Sequence, residues 1–320
     1  MRFFTRPAPA AGPAPTDVPA SDWVAPEREL TAAIVTMARD EGAMLGAWVR
    51  HHAGVVGVDH LVILDDASSD GSTQEAAAAG VTVHHLPSLS GKPFERTRMR
   101  ILSGIATGLL HAYDYVIALD ADELLVIDPA FGTLDALLRE RGCPETLGVV
   151  GLNVVPAPGE APLDLERPIL EQRSVAIFAP GMCKPSIKRV PARWGLASHG
   201  IAAPYLPDPG AFMLHLKFAD RERLRAISAA RHQAFLAEGR AKASTWSKDA
   251  DDIVGALDAA LTRLDGVEVG AVPEFDPTTI DLAGLIVDDN GIRRPVRQGQ
   301  LEALQLQAPT RIPTRLKGLA

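Results

Sequence analysis

Four short apolar runs separated by helix-forming segments occupy Ala32 to Leu119, and few folds accept that alternation. The runs are Ala32-Ala-Ile-Val-Thr36-Met, His60-Leu-Val-Ile-Leu64, Val81-Thr-Val-His-His85 and Tyr115-Val-Ile-Ala-Leu119. Between them stand a helical pattern with Met44, Leu45, Trp48 and Val49, a short Ala-rich stretch, and a stripe of Met99, Leu102, Ala106 and Leu109. Strands that are apolar on both faces and alternate with helices form a largely parallel sheet with right-handed crossovers. The carboxyl ends of parallel strands share one edge, and that edge is where such sheets bind ligands. Asp40 is the expected cap of the first helix, and Asp70 of the helix beginning near Thr73.

The residues at that edge are acidic. Asp120 and Asp122 close the fourth run, and two carboxylates so close repel unless a cation or donors offset them. Hard oxygen donors suit Mg²⁺ or Mn²⁺, ions that commonly retain positions for substrate phosphates. Asp65 and Asp66 end the second run, placed to accept hydrogen bonds from a nucleobase or ribose.

Beyond Gly148 the order loosens, with strands expected at Val149–Val154 and Val175–Phe178 in a mixed sheet. Capped helices are expected from Asp220 to Glu238, ending at Gly239, and from Asp251 to Leu264. Pro and Ala dominate to Pro26, so residues 1–28 read as a tether. Residues 29–240 then form the main domain, with a nucleotide half to about 130 and an acceptor half beyond it, and residues 241–320 a helical and irregular extension. The basic tail, with Arg293, Arg294, Arg297, Arg311, Arg315 and Lys317, reads as a solvated terminus, with at most peripheral membrane contact. A net charge of −8 argues against nucleic acid as a partner. Two cysteines in unrelated contexts and a start without a signal-peptide core point to the cytoplasm.

Four motifs in order, Ile34-Val-Thr36-Met-Ala-Arg-Asp-Glu41, Trp48 with His51-His52, Leu64-Asp-Asp-Ala-Ser-Ser-Asp-Gly-Ser and Leu119-Asp-Ala-Asp-Glu-Leu, resemble a family 2-like glycosyltransferase. They are similar in particular to a subgroup with an Asp-Ala-Asp-Glu metal motif. The likeness covers about residues 30–130 and thins to about 235, where Lys184-Pro-Ser-Ile-Lys188-Arg, His199 and Leu214-His215-Leu-Lys resemble later signatures. Arg39-Asp40-Glu41 departs from the usual Asn before Glu, and Leu216 from the usual aromatic.

The resemblance implies an α/β fold of GT-A type, a Rossmann-like mostly parallel sheet with a mixed acceptor-side half and C-terminal helices. It implies transfer of a sugar from a UDP- or GDP-linked donor to a hydroxyl on a glycan, lipid or protein, with inversion. Thr36, Asp66 and Asp120 would contact the nucleoside, and Asp122, Asp120 and His215 would hold the metal. Arg96 or Arg100 would hold phosphate, His199 would serve the acceptor site, and Asp208 is the choice for the base. A haloacid-dehalogenase-like phosphatase, with Asp120 as nucleophile and Asp122 as acid, is the main alternative. A non-catalytic nucleotide-sugar-binding domain is another.

Overall fold

The structure, a computed structural model, describes residues 23–89, 93–238 and 245–320. Its first half is strand and helix in alternation: β1 (Ala32–Ala38), α1 (Ala43–Val56), β2 (Leu61–Asp65), α2 (Ser72–Ala78), β3 (Thr82–His85), α3 (Phe94–Leu109) and β4 (Tyr115–Ala118). These strands lie in the order β3-β2-β1-β4, all parallel. Every residue of β1, β2 and β4 is buried, as strands covered on both faces require.

The second half is mixed. It comprises β5 (Glu123–Ile127), α4 (Leu134–Glu140), β6 (Thr146–Val155), β7 (Val175–Phe178), β8 (Ile187–Lys188), β9 (Pro207–His215) and α5 (Arg221–Glu238). β8 runs antiparallel between β4 and β6, joining the halves, while β5 pairs antiparallel with β9 and β9 parallel with β6. Register sets Glu123 and Asn153 on either side of His215.

After α5 come α6 (Ala250–Leu261), a hairpin of β10 (Ile286–Asp289) and β11 (Ile292–Pro295), α7 (Gln300–Leu306) and β12 (Pro309–Arg311). The basic tail is therefore folded, contrary to the expectation of a solvated terminus. β12 adds a strand to the sheet beside β7, and Arg293, Arg294, Arg311 and Arg315 pair with Asp288, Asp289, Glu274 and Asp128. Close backbone approach holds the tail down: a Cβ at Gly181 would lie 2.4 Å from the Gln298 carbonyl oxygen.

Part of the expected tether is also packed. Trp23 lies against the core beneath the Arg189 guanidinium, and Arg28 pairs with Asp114 at 2.6 Å. Residues 1–22 lie outside the described residues, as does Gly239. Asp220 caps α5 by accepting from the Arg223 amide at 2.8 Å. Asp40 does not cap α1: the position next to the helix is Gly42, and Asp40 accepts from the Ser69 amide at 2.6 Å, tying two loops together. Asp70 accepts from the amides of Ser72 and Gly42, so it both starts α2 and steadies the entry to α1.

The two histidines of α1 clamp β5. His52 donates through Nδ1 to the Trp48 carbonyl and accepts at Nε2 from the Leu125 amide, while His51 donates to the Leu125 carbonyl at 2.6 Å. Burial holds the pKa of both below the ordinary value, and for His52 well below it. The unfolded chain therefore takes up protons below about pH 6.5 that the fold refuses, so this contribution to stability falls as pH drops. In His52→Gln, urea unfolding from pH 7 to 5 is expected to show a shallower pH dependence, by up to about 1.4 kcal/mol per pH unit.

Candidate active site

Along the carboxyl edge of the parallel strands runs a cleft of about 1730 Å³, bounded by the β1–α1 loop, α3, the Asp120–Asp122 turn, α5 and the C-terminal hairpin. Its floor is a layer of paired charges. β4 ends at Ala118, the turn Leu119–Asp122 follows, and β5 begins at Glu123, whose side chain is fully buried. Lys184, also buried, donates to Glu123 at 2.5 Å and lies 3.4 Å from Asp120. The other Asp120 oxygen accepts from Arg98, and the Asp120 amide donates to Glu123 at 3.0 Å.

These contacts set the charges. Burial raises the Asp120 carboxyl, but Arg98 and Lys184 outweigh it and hold the group well below the ordinary range. Burial raises Glu123, against the opposing pull of Lys184 and with Asp120 and Asp122 adding to the rise. Glu123 is thus the carboxyl that tolerates a proton, and Asp120 the one that stays ionised.

Asp122 and His215 form a second pair beside the first, with His215 Nε2 3.7 Å from Asp122 Oδ2. His215 donates through Nδ1 to Asn153 Oδ1 at 2.7 Å, which leaves the Nε2 lone pair turned toward the carboxylate. Burial pushes the imidazole down to about 4, so it is neutral and able to ligate. The spacing exceeds a good hydrogen bond and approaches the roughly 3 Å between adjacent ligands of an octahedral ion at about 2.1 Å. Donor atoms of Asp122, Glu123 and His215 lie within 4.8 Å of one another. Both Glu123 oxygens are engaged, by Lys184 and by the Asp120 amide. A neutral imidazole steadied from behind by an amide oxygen, beside an ionised carboxylate, fits a divalent ion such as Mn²⁺.

The other expected residues are distributed unevenly. Asp66 lines the cleft, accepts from the Leu89 amide at 2.7 Å and lies 3.7 Å from Arg39. Asp65 does not line it: Ser68 and His85 occupy its oxygens. Thr36 is buried one residue below the cleft wall, its hydroxyl without a hydrogen-bond partner among the described residues. Arg96 and Arg100 stand exposed on the cleft side of α3, whereas the arginine reaching Asp120 is the buried Arg98 between them. His199 lines the cleft, donates to the Gly181 carbonyl at 2.5 Å, and is pushed by burial down to about 3. Asp208 is not brought to the cleft; Arg141 holds it at 2.5 Å and the Gly210 amide at 2.8 Å.

Sequence reasoning passed over Arg98, Glu123, Asn153 and the C-terminal wall. Two had a signal: Arg98 lies on the same helical stripe as Leu102 and Ala106, and Asn153 interrupts an apolar run. Lys217 shows the wall's attachment, donating to Thr245 at 2.8 Å and to Gln300 at 2.9 Å. Burial and the neighbouring Arg231 push it down to about 7. Arg231 in turn lies 3.7 Å from Glu41.

The cleft therefore joins a candidate metal pair to flanking cations on a sheet edge, the class of site able to hold a metal-bound polyanion. No family model matches the chain. No curated protein matches it either. Among solved structures it is similar to GalNAc-T7 with UDP, GalNAc and Mn²⁺, at 14% identity over 76% of this chain and 52% of that one, TM-score 0.37. It is similar to a mannosyltransferase from Pyrobaculum calidifontis in complex with GDP-Man and Mn²⁺, at 15% identity over 41% and 36%, TM-score 0.28. It is also similar to a glucosyl-3-phosphoglycerate synthase from Mycobacterium tuberculosis, at 24% identity over 32% and 40%, TM-score 0.23. The matched parts span about half or less of those chains.

Lys184→Met leaves the Glu123 carboxylate buried without its cation and is expected to cost about 3 kcal/mol in denaturant unfolding at pH 7. The loss should shrink at pH 5, where the buried Glu123 carboxyl, raised to about 7, takes up a proton in the folded chain and no longer needs the cation.

Proposed function

We propose that the cleft is the active site of a metal-dependent glycosyltransferase that moves a sugar from a UDP- or GDP-linked donor to a hydroxyl acceptor, with inversion. The observation that carries this is the Asp122–His215 pair, its tautomer set by Asn153, standing beside the Arg98–Asp120–Lys184 cluster at the sheet edge. Asp122 and His215 would hold Mn²⁺ or Mg²⁺, with Asp120 and Glu123 supporting them from behind. The ion would supply charge neutralisation for the departing diphosphate.

Asp66, on the wall formed by the β1–α1 and β2–α2 loops, is the carboxylate assigned to the nucleoside, with Asp65 bracing its loop and Thr36 packed beneath. In the transfer the acceptor oxygen bonds to the anomeric carbon. The bond from that carbon to the diphosphate oxygen breaks, its electron pair leaves on the diphosphate, and the hydroxyl proton goes to water or a base. Asp208 is not put forward as that base, because it is tied to Arg141 away from the cleft. Electrostatic stabilisation of the leaving group by cations already in place is the largest effect such a site offers.

The phosphatase alternative needs a free Asp120 oxygen to attack phosphorus, and Arg98 and Lys184 occupy both. No helix among the described residues is long and apolar enough to cross a membrane.

Release of nucleoside diphosphate from a panel of UDP- and GDP-sugars is expected to require Mn²⁺ or Mg²⁺; equal release in chelator, or hydrolysis of simple phosphate monoesters, would refute the reading. Asp122→Ala should weaken metal-dependent nucleoside diphosphate binding by about 100-fold or more in calorimetry, with an unchanged circular dichroism spectrum. Asn153→Ala should cost about 10- to 100-fold in Mn²⁺ affinity through loss of the histidine's orienting bond.

A further inference from the structure

The formal charge of the cleft differs in sign from that of the chain. Eleven arginines and lysines line it against eight aspartates and glutamates, a surplus of three positive charges in a chain of net −8. Taking the transferase reading as its basis, the inference follows from what donor binding does to that surplus. A divalent cation adds two positive charges and a sugar nucleotide's diphosphate two negative ones, so the surplus survives.

Three arginines account for it. Arg96 and Arg100 are one turn apart on α3 and so share a face, and both line the cleft while exposed. Arg193, also exposed, lines the same cleft, and the amide of its neighbour Trp194 donates to Ser103, one turn further along the same helix, which ties the Arg193 segment to α3. Arg98 by contrast is spent on Asp120 and Glu95, and Arg294 on Asp289. Among the described residues no carboxylate pairs with Arg96, Arg100 or Arg193. Guanidinium groups grouped on one wall and free of carboxylates suit phosphate oxygens, which they bind in a bidentate fork.

We propose that Arg96, Arg100 and Arg193 form a second anion site in the cleft, separate from the metal-bound diphosphate, that anchors a phosphate carried by the acceptor. The phosphate belongs to a soluble phosphorylated polyol or to a phospholipid headgroup, and the two share the same recognition. Anchoring there brings a neighbouring hydroxyl toward the donor sugar, and the gain comes from positioning.

The test uses the full chain with Mn²⁺ and saturating UDP or GDP, titrated with glycerol phosphate in a calorimeter and sedimented with phosphatidylglycerol vesicles. Glycerol phosphate binding without sedimentation identifies a soluble acceptor; sedimentation reversed by inorganic phosphate identifies a headgroup, and either supports the site. The triple variant Arg96→Gln, Arg100→Gln, Arg193→Gln should weaken the bound probe by about tenfold or more while nucleoside diphosphate affinity changes by less than about twofold. Should the triple variant unfold, Arg100→Glu alone is expected to show the same separation.

Binding of neither probe, or an unchanged affinity in the variants, would overturn the proposal, as would glycerol phosphate simply displacing the nucleoside diphosphate. If the wild-type chain binds no nucleoside diphosphate with Mn²⁺ yet shows arginine-dependent phosphate binding, the donor reading fails and the anion site stands.

Discussion

The contact on which the candidate site depends is the buried ion pair between Lys184 and Glu123. Both side chains are almost wholly removed from water, so neither charge is tolerable without the other. The pair lies where the halves meet: Glu123 opens β5 directly after the turn from β4, and Lys184 precedes β8, which bonds to β4. Because Lys184 also faces Asp120, the same cation fixes the turn between β4 and β5. Asp122 is thereby held opposite His215, whose position is set by the pairing of β9 with β5 and β6.

The architecture makes the site composite. Parallel strands deliver the loops with Asp66 and Asp120 to one edge, and the mixed strands bring His215 and Asn153 in from the other side. The C-terminal hairpin and α7 then close a wall that includes Arg294, Gln298 and Gln300. Charge follows the same division. The metal pair sits against the floor, the ionised Asp120 is neutralised by Arg98 and Lys184, and the exposed Arg96, Arg100 and Arg193 line the cleft without a carboxylate partner among the described residues. A cleft that concentrates positive charge within an acidic chain focuses anionic ligands and raises their local concentration.

Much of the fold was legible beforehand because the relevant signals are local. The runs at β1, β2, β3 and β4 lie close to their observed bounds, α3 follows its apolar stripe, and α5 and α6 lie close to the expected helices. The acidic ends at Asp66 and Asp120 were legible for the same reason, since a strand's end and its turn are adjacent in sequence. Where reading failed, the deciding partner was remote. Asp40 looked like a cap, but Ser69 claims it; Asp208 looked free, but Arg141 claims it. The tail looked solvated because its cations stand in a run, while the carboxylates that neutralise them include Asp128 and Glu274, one of them far back in the chain.

By itself the sequence determined the parallel half, the edge at which ligands would meet it, and the acidic character of that edge, all consequences of short-range patterning. Only the tertiary structure decided which of those acids is spent on a neighbour and which remains for a ligand. Asp65 is hydrogen-bonded by His85, and Asp120 is neutralised by Arg98 and Lys184, residues 20 to 64 positions away, while Asp122 is left facing His215. The physical reason is that a carboxylate's role is set by what desolvates it and what charge lies within a few ångströms, and neither quantity exists until the chain has folded.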